Sequence, residues 1–434
     1  MTEERRFAIN VPVLARVEGE GALEVTIEEG RIAHLALRIF EPPRLFEKLL
    51  EGREFAEVPD MVARICGICP VAYQMSAVQA LEAIMGIDPG AWVRAMRRVF
   101  YCGEWIESHC LHIHLLAAPD FLGCEGVAAL AKAYPDEVRR GLRLQALGND
   151  LITLFGARSV HPVGARVGGF HHAPSPAAVA ALCARLRAAL PEAAALVRWT
   201  ASLPMPQDGG DYTCVALRHP HEYPMTDGRI VSSAGLAIDS AEFDAHFREH
   251  QVAHSTALHC LLEGEPYLVG PLARLNLNAD RLPAAVRDVL AEVGLTLPSR
   301  NIAHSIVARA AEVYYAVGEA LRLLEVYQRP TAPYADVPPR SGVGYGCSEA
   351  PRGILWHRYE TDAAGRILTA RIVPPTSQNQ ARIEADLRRT LLATGLEQPV
   401  ERLRFECERL IRHYDPCISC ASHFLDLRLH RARP

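Results

Sequence analysis

"RICGICP", residues 64–70, holds two cysteines two residues apart between an arginine and a proline. Its counterpart, "DPCISCASH" (residues 415–423), stands about 350 positions further along the chain. Pro70 opens the helical pattern "PVAYQMSAVQALEAIMG". Proline is favoured at a first helical position, because the N–H it lacks has no partner there in any helix. Cys69 is therefore expected to cap a helix N-terminus, and Pro416, with Asp415 as N-cap, predicts the same setting for Cys417. Free amide N–H groups and the helix dipole at such a place favour thiolates. Thiolates are soft ligands, suited to zinc, copper(I), iron–sulfur and other transition-metal centres. A zinc staple places its pairs closer together and in turns. A redox dithiol needs a βαβ setting that is missing here, and ordinary buried cysteine accounts only for each pair taken singly. Two proline-flanked pairs, the second extended to C-x-x-C-x-x-H, favour one shared metal site. The remaining eight of twelve cysteines lie scattered in apolar contexts and read as small hydrophobes in the core.

Working outward, 434 residues that are 49% hydrophobic suffice for a large core. A net charge of −5 excludes a nucleic-acid surface as the main business of the chain. No apolar run reaches the ~18 residues of a spanning helix, so no membrane association is expected. "MTEERRFAIN" lacks the apolar stretch of a signal peptide, and cytoplasmic residence, with reduced thiols, is the expectation. Residues 7–40 read as a β meander broken at Gly19, Gly21 and Glu29-Gly30. From Pro59 to about residue 330 helical patterns dominate, at 91–118, 135–155, 175–198 and 301–327. Connections rich in glycine and proline, 159–176 and 329–346, separate them. A hairpin is expected at 353–374, turning at Ala363-Ala364-Gly365, and two helices then lead to the second cysteine motif. The predicted fold class is mainly α (α+β): a large helical body with small β-sheets near the N-terminus and before the C-terminal cysteine motif, without a domain linker. "GVGYG" (342–346) reads as a glycine turn, not a nucleotide-binding fingerprint. The chain also lacks the extra cysteine clusters of an iron–sulfur relay.

The patterns R-x-C-G-x-C and D-P-C-x-x-C-x-x-H resemble those of nickel–iron hydrogenase large subunits. The resemblance covers essentially the whole chain, through "RVEGEGAL" (16–23), "FEPP" (40–43), "GARSVHPVGARVGG" (156–169), "YLVGPLAR" (267–274), "EAPRG" (349–353) and "PPTSQN" (374–379), in family order. The form "RICGICPVAYQ" is similar to that of the cytoplasmic NAD(P)-linked branch, sulfhydrogenase α subunits included. The resemblance implies a nickel held by Cys66, Cys69, Cys417 and Cys420, with Cys69 and Cys420 bridging to an iron that carries carbon monoxide and cyanide. Glu18, by itself a solvated carboxylate beside a glycine turn, would take the proton from Cys417, a role that suits a carboxylate in a partly dry site. Glu41 and His423 would reach a magnesium, or an iron, behind the centre. Arg352 would stand over the open side of the iron, a fixed cation that polarises H2, with Asp415 beside it. Two departures are Tyr73, where many members carry histidine, and Ser108, where an aspartate is usual. His109, His112 and His114 look like a ligand set, but four thiolates already fill that role, so they are assigned to the core.

What the resemblance implies for function is the catalytic subunit of a cytoplasmic hydrogenase. An iron–sulfur small subunit and diaphorase-type subunits with flavin would connect H2 with NAD(P). Nickel-insertion proteins and a maturation protease would also be partners, the protease removing residues 424–434 to leave a domain of residues 1–423. A hydrogen-sensing regulatory subunit with the same cluster is the alternative. A zinc-stapled scaffold is a further reading, and a quinone-site relative is disfavoured by the four retained cysteines.

Overall fold

The computed structural model describes residues 6–206 and 209–422. Strands β1 (Arg6–Val11), β2 (Gly21–Glu28) and β3 (Arg31–Ile39) form the expected antiparallel meander. Its hairpin turns at Glu29-Gly30, both at positive φ. Alternate residues Ile9, Val11, Leu23, Val25, Ile27 and Leu37 face inward, as the two-residue period of a strand requires. They pack on helices introduced below, through Ile383, Leu387, Leu391, Leu403 and Leu410.

The helical body consists mainly of α1 (Pro70–Met85), α2 (Gly90–Leu111), α3 (Pro135–Gly156), α4 (Pro176–Ser202) and α5 (Ser305–Glu325). All lie where the sequence predicts helix. α1 is buried at nearly every position, the condition under which a helix is apolar on all sides. The predicted helix 91–118 is not continuous. It loosens into a π-helical turn at His112–Ala117, a form that recurs at functional sites.

Between α4 and α5 the structure departs from the helical expectation. A three-stranded sheet (Val215–Arg218, Arg229–Ser232, Ala237–Ile238) and a hairpin of β4 (Phe247–His250) and β5 (His259–Leu262) occupy this stretch. None of these strands exceeds four residues, too short for an alternating pattern to stand out. A second correction concerns "GVGYG". It begins β6 (Gly342–Ala350), which pairs with β7 (Gly353–Thr361), and β7 pairs with β8 (Ile367–Val373). The glycines are there because β6 lies directly on α1. A Cβ on Gly344 would stand 2.2 Å from the Ala80 carbonyl oxygen, and one on Gly346 2.1 Å from that of Ser76.

Helices α6 (Pro375–Thr394) and α7 (Val400–Tyr414) close the fold and lead into the short α8 (Ile418–Ala421). Asp415 is not the N-cap expected of it. It ends α7 in the left-handed region (φ 56°), and Cys417 is the residue preceding α8. Pro416 disfavours right-handed helix at the residue before it, so Asp415 breaks the chain between the two helices. Among the described residues no helix is long and apolar enough to cross a membrane.

Candidate metal centre

The two cysteine pairs meet. Cys66 Sγ lies 3.4 Å from Cys417 Sγ, Cys69 Sγ 3.3 Å from Cys420 Sγ, and Cys417 Sγ 2.9 Å from Cys420 Sγ. All four sulfurs fall within 4.8 Å of one another, are buried, and remain free thiols. Cys69 caps α1 and Pro70 starts it, as the sequence predicts. The Ile68 and Cys69 amides each donate to Cys66 Sγ at 3.3 Å. Burial opposes charge on every one of these sulfurs. Hydrogen bonds from the other three thiols nevertheless hold Cys66 well below the ordinary thiol range, while burial and its neighbours push Cys417 well above it. Four sulfurs this close cannot all ionise unless a cation stands among them. The donor set thus fits a soft divalent metal, which supplies the missing charge.

Three elements hold the second pair in place. The Cys417 amide donates to Thr376 Oγ1, at the start of α6, at 3.0 Å. The Ile418 amide donates to the Glu18 carbonyl at 2.9 Å. Arg44 spans the two motifs, donating to the Ile65 carbonyl at 2.6 Å and to the Ser419 carbonyl. On the other side, Glu104 of α2 accepts from the Val71 and Ala72 amides at 2.6 and 3.1 Å. It thereby caps the first turn of α1 from across the core. Neither Arg44 nor Glu104 emerges from the sequence reading. The available signal is the pair Glu104 and Glu107, three residues apart on the otherwise apolar "GEWIESHC" stretch.

Glu18 Oε2 accepts from Cys417 Sγ at 3.0 Å and from the Ser419 amide at 3.1 Å. Glu18 is half-buried, so its carboxyl stands between a buried sulfur and the solvent side. Arg352 is 2% exposed. Its guanidinium donates to the Asp415 carbonyl (2.8 Å), the Asp415 carboxylate (3.1 Å) and the Ser108 hydroxyl (3.3 Å). Burial alone would weaken the Arg352 cation, but Asp415 and the cysteine sulfurs more than restore it, and its pKa stands well above the usual value. Burial likewise opposes the Asp415 anion, and Arg352, His112 and Arg309 outweigh it and hold the carboxyl low. A permanent, fixed cation therefore faces the sulfurs.

Glu41 lies at the same end of the molecule. Its carboxylate accepts from the Glu20 amide (2.8 Å) and the hydroxyls of Ser422 (3.2 Å) and Ser419 (3.3 Å). His423 lies outside the described residues. Tyr73 is buried, and burial together with Cys420 and Cys69 pushes its phenol well above the usual range, so it stays neutral. The three histidines of "HCLHIH" lie in the core, as expected, each with one partner away from the cradle: His109 with Glu312 (2.9 Å), His112 with the Arg412 carbonyl (2.8 Å), His114 with the Cys110 carbonyl (2.9 Å), the second ring nitrogen of each being unpartnered. Glu312 also accepts two bonds from the buried Arg274 and one from Tyr223, which ties α2, α5 and the "GPLAR" segment together.

Comparison with known proteins agrees with this geometry. A family model described as nickel-dependent hydrogenase matches residues 44–140 and 261–423. The chain is 32% identical to sulfhydrogenase 1 subunit alpha of Pyrococcus furiosus, over 96% of this chain and 98% of that one. It is also 32% identical to sulfhydrogenase 2 subunit alpha of the same organism, over 96% and 100%. Among solved structures, an NAD+-reducing [NiFe]-hydrogenase in the H2-reduced state superposes with a TM-score of 0.86 at 26% identity, covering 96% of this chain and 99% of that one.

Proposed function

This chain belongs to the nickel-dependent hydrogenase family and is the catalytic large subunit of a nickel–iron hydrogenase; from that premise we propose that it exchanges electrons with NAD(P) in the cytoplasm, through an iron–sulfur small subunit and flavin-bearing diaphorase-type subunits. The likeness to sulfhydrogenase α subunits and to an NAD+-reducing enzyme supports that coupling. The observation that carries the catalytic reading is the Glu18 carboxylate on Cys417 Sγ, at the edge of the four-sulfur cradle.

Cys66, Cys69, Cys417 and Cys420 would hold the nickel, and Cys69 and Cys420 would also hold the iron with its carbon monoxide and cyanide. The centre, when bound, polarises H2 and accepts its electrons. Cys417 Sγ receives the proton, and Glu18 takes it across the 3.0 Å contact towards solvent. A carboxylate at hydrogen-bond distance from the atom it deprotonates meets the geometric requirement of a general base. Arg352, pinned by Asp415 and Ser108, presents a cation that needs no reorganisation as charge separates. Glu41, with His423 beyond the described residues, would hold a magnesium or iron ion behind the cradle.

We further propose that the active protein ends at His423, residues 424–434 being removed by a protease after nickel insertion. Ser422, the last described residue, is fully buried, and its carbonyl accepts the Arg44 amide at 2.8 Å. Intact mass of hydrogenase-active material tests this: full activity in chains still carrying Pro434 would reject it. For the centre itself, nickel content and carbonyl and cyanide infrared bands of the purified complex are decisive. NAD(P)-linked H2 turnover separates the enzyme from a hydrogen sensor.

A further inference from the structure

His254, His259 and Glu384 bring one ligand atom each to within 4.8 Å of one another. None of them belongs to the four-sulfur cradle. His259 opens β5 opposite His250 of β4, His254 lies in the loop between the two strands, and Glu384 projects from α6. His254 Nε2 is 2.7 Å from Glu384 Oε1, and the same oxygen accepts the Leu37 amide of β3 at 2.9 Å. The His259 ring is the buried member of the three. It is 3% exposed, and its Nε2 makes no hydrogen bond. A buried imidazole nitrogen without a partner forfeits its hydration for nothing, a cost most buried polar groups avoid. The His250 and His254 rings lie edge-on to it, with centroids at 5.6 and 5.8 Å.

We propose that His254, His259 and Glu384 form a second, separate metal site, which binds a divalent ion of the zinc type. Two imidazoles and a carboxylate are a donor set that zinc takes, with water in the fourth position. Ligand atoms on a tetrahedral shell of about 2.0–2.1 Å radius stand roughly 3.3 Å apart, so the three groups need only small rotations from where they are. His254 and Glu384 are partly exposed, which leaves an entry path and room for the water. The Glu384–Leu37 bond acts as the outer support that fixes a ligand's direction. An ion here would clamp α6 to the β4–β5 hairpin and to the edge of the N-terminal meander. The first turn of α6 carries Thr376, the partner of the Cys417 amide.

The test uses the mature complex, its nickel and iron in place, stripped of loosely held metal by a chelator and then offered Zn2+ or Co2+. The wild type should retain one zinc per large subunit more than the His259→Ala complex. Its cobalt form should show visible d–d bands without the near-ultraviolet charge-transfer absorption of thiolate ligation. Glu384→Gln, which keeps an oxygen for the Leu37 amide, should weaken Zn2+ retention at least tenfold, and it serves if His259→Ala does not assemble. Equal zinc retention by wild type and either assembled variant, or a thiolate-type cobalt spectrum, would overturn the proposal.

Discussion

Glu18 is bound to the second cysteine motif twice, by its backbone carbonyl to the Ile418 amide and by its carboxylate to Cys417 and Ser419. Glu18→Gln therefore keeps the frame and removes only the titrating group. We expect unchanged nickel content and H/D exchange slowed by about 100-fold or more, the usual worth of a positioned base, read by mass spectrometry of the evolved gas. Arg352→Lys should also leave nickel in place. A point charge on a flexible stem cannot make the three bonds that the guanidinium makes to Asp415 and Ser108, and turnover should fall about a hundredfold. The cysteine pairs are legible in the sequence because the spacing of ligands is a local pattern, whereas Glu18 and Arg352 enter only through the resemblance carried by the blocks around them. Glu104 and Arg44 are not legible. Their role is to hold amides and carbonyls of distant segments, and no one-dimensional spacing encodes such a contact.

The elements divide in the same way. Long helices declare themselves, since fifteen to twenty-seven residues give an apolar face time to repeat. The strands of two to four residues between α4 and α5 do not, and β6 hides because its glycines imitate a turn. Those glycines answer to a requirement set by α1, a different element, so nothing near them in the chain explains them. Gly346→Ala would drive a methyl group to 2.1 Å from the Ser76 carbonyl oxygen, and the oxygen belongs to helix backbone that cannot yield cheaply. A loss of roughly 3 kcal/mol or more is expected, seen as a lowered thermal midpoint. Nickel occupancy should fall with it, because the N-terminus of the displaced α1 carries Cys69.

At the scale of the whole molecule, the large helical core sets the response to acid. Burial holds His109 and His114 near pH 4 and His112 near pH 3, against 6.5 for a free imidazole. Over that interval the unfolded chain binds protons that the native chain does not, so stability is lost as the pH falls from 6.5 towards 4 and levels off below the native values. His114 alone accounts for roughly 3 kcal/mol. Its ring stacks on Trp199 at 5.4 Å, far from the metal cradle in its interactions, which makes it a clean probe. His114→Asn should lower stability at neutral pH through the lost stacking. It should also flatten the dependence of the unfolding midpoint on pH between 4 and 6.5 by about one proton.

The 351 positions between Cys66 and Cys417 also carry a meaning in time. A ribosome adding about 5–20 residues per second needs roughly 20–70 s to travel from the first pair to the second. For that interval the first pair exists without Cys417 and Cys420, and the Glu18–Ile418 bridge that closes the cradle cannot yet form. A cradle closed by the last-made segment would let metals be laid in before closure, without a tunnel through the finished protein.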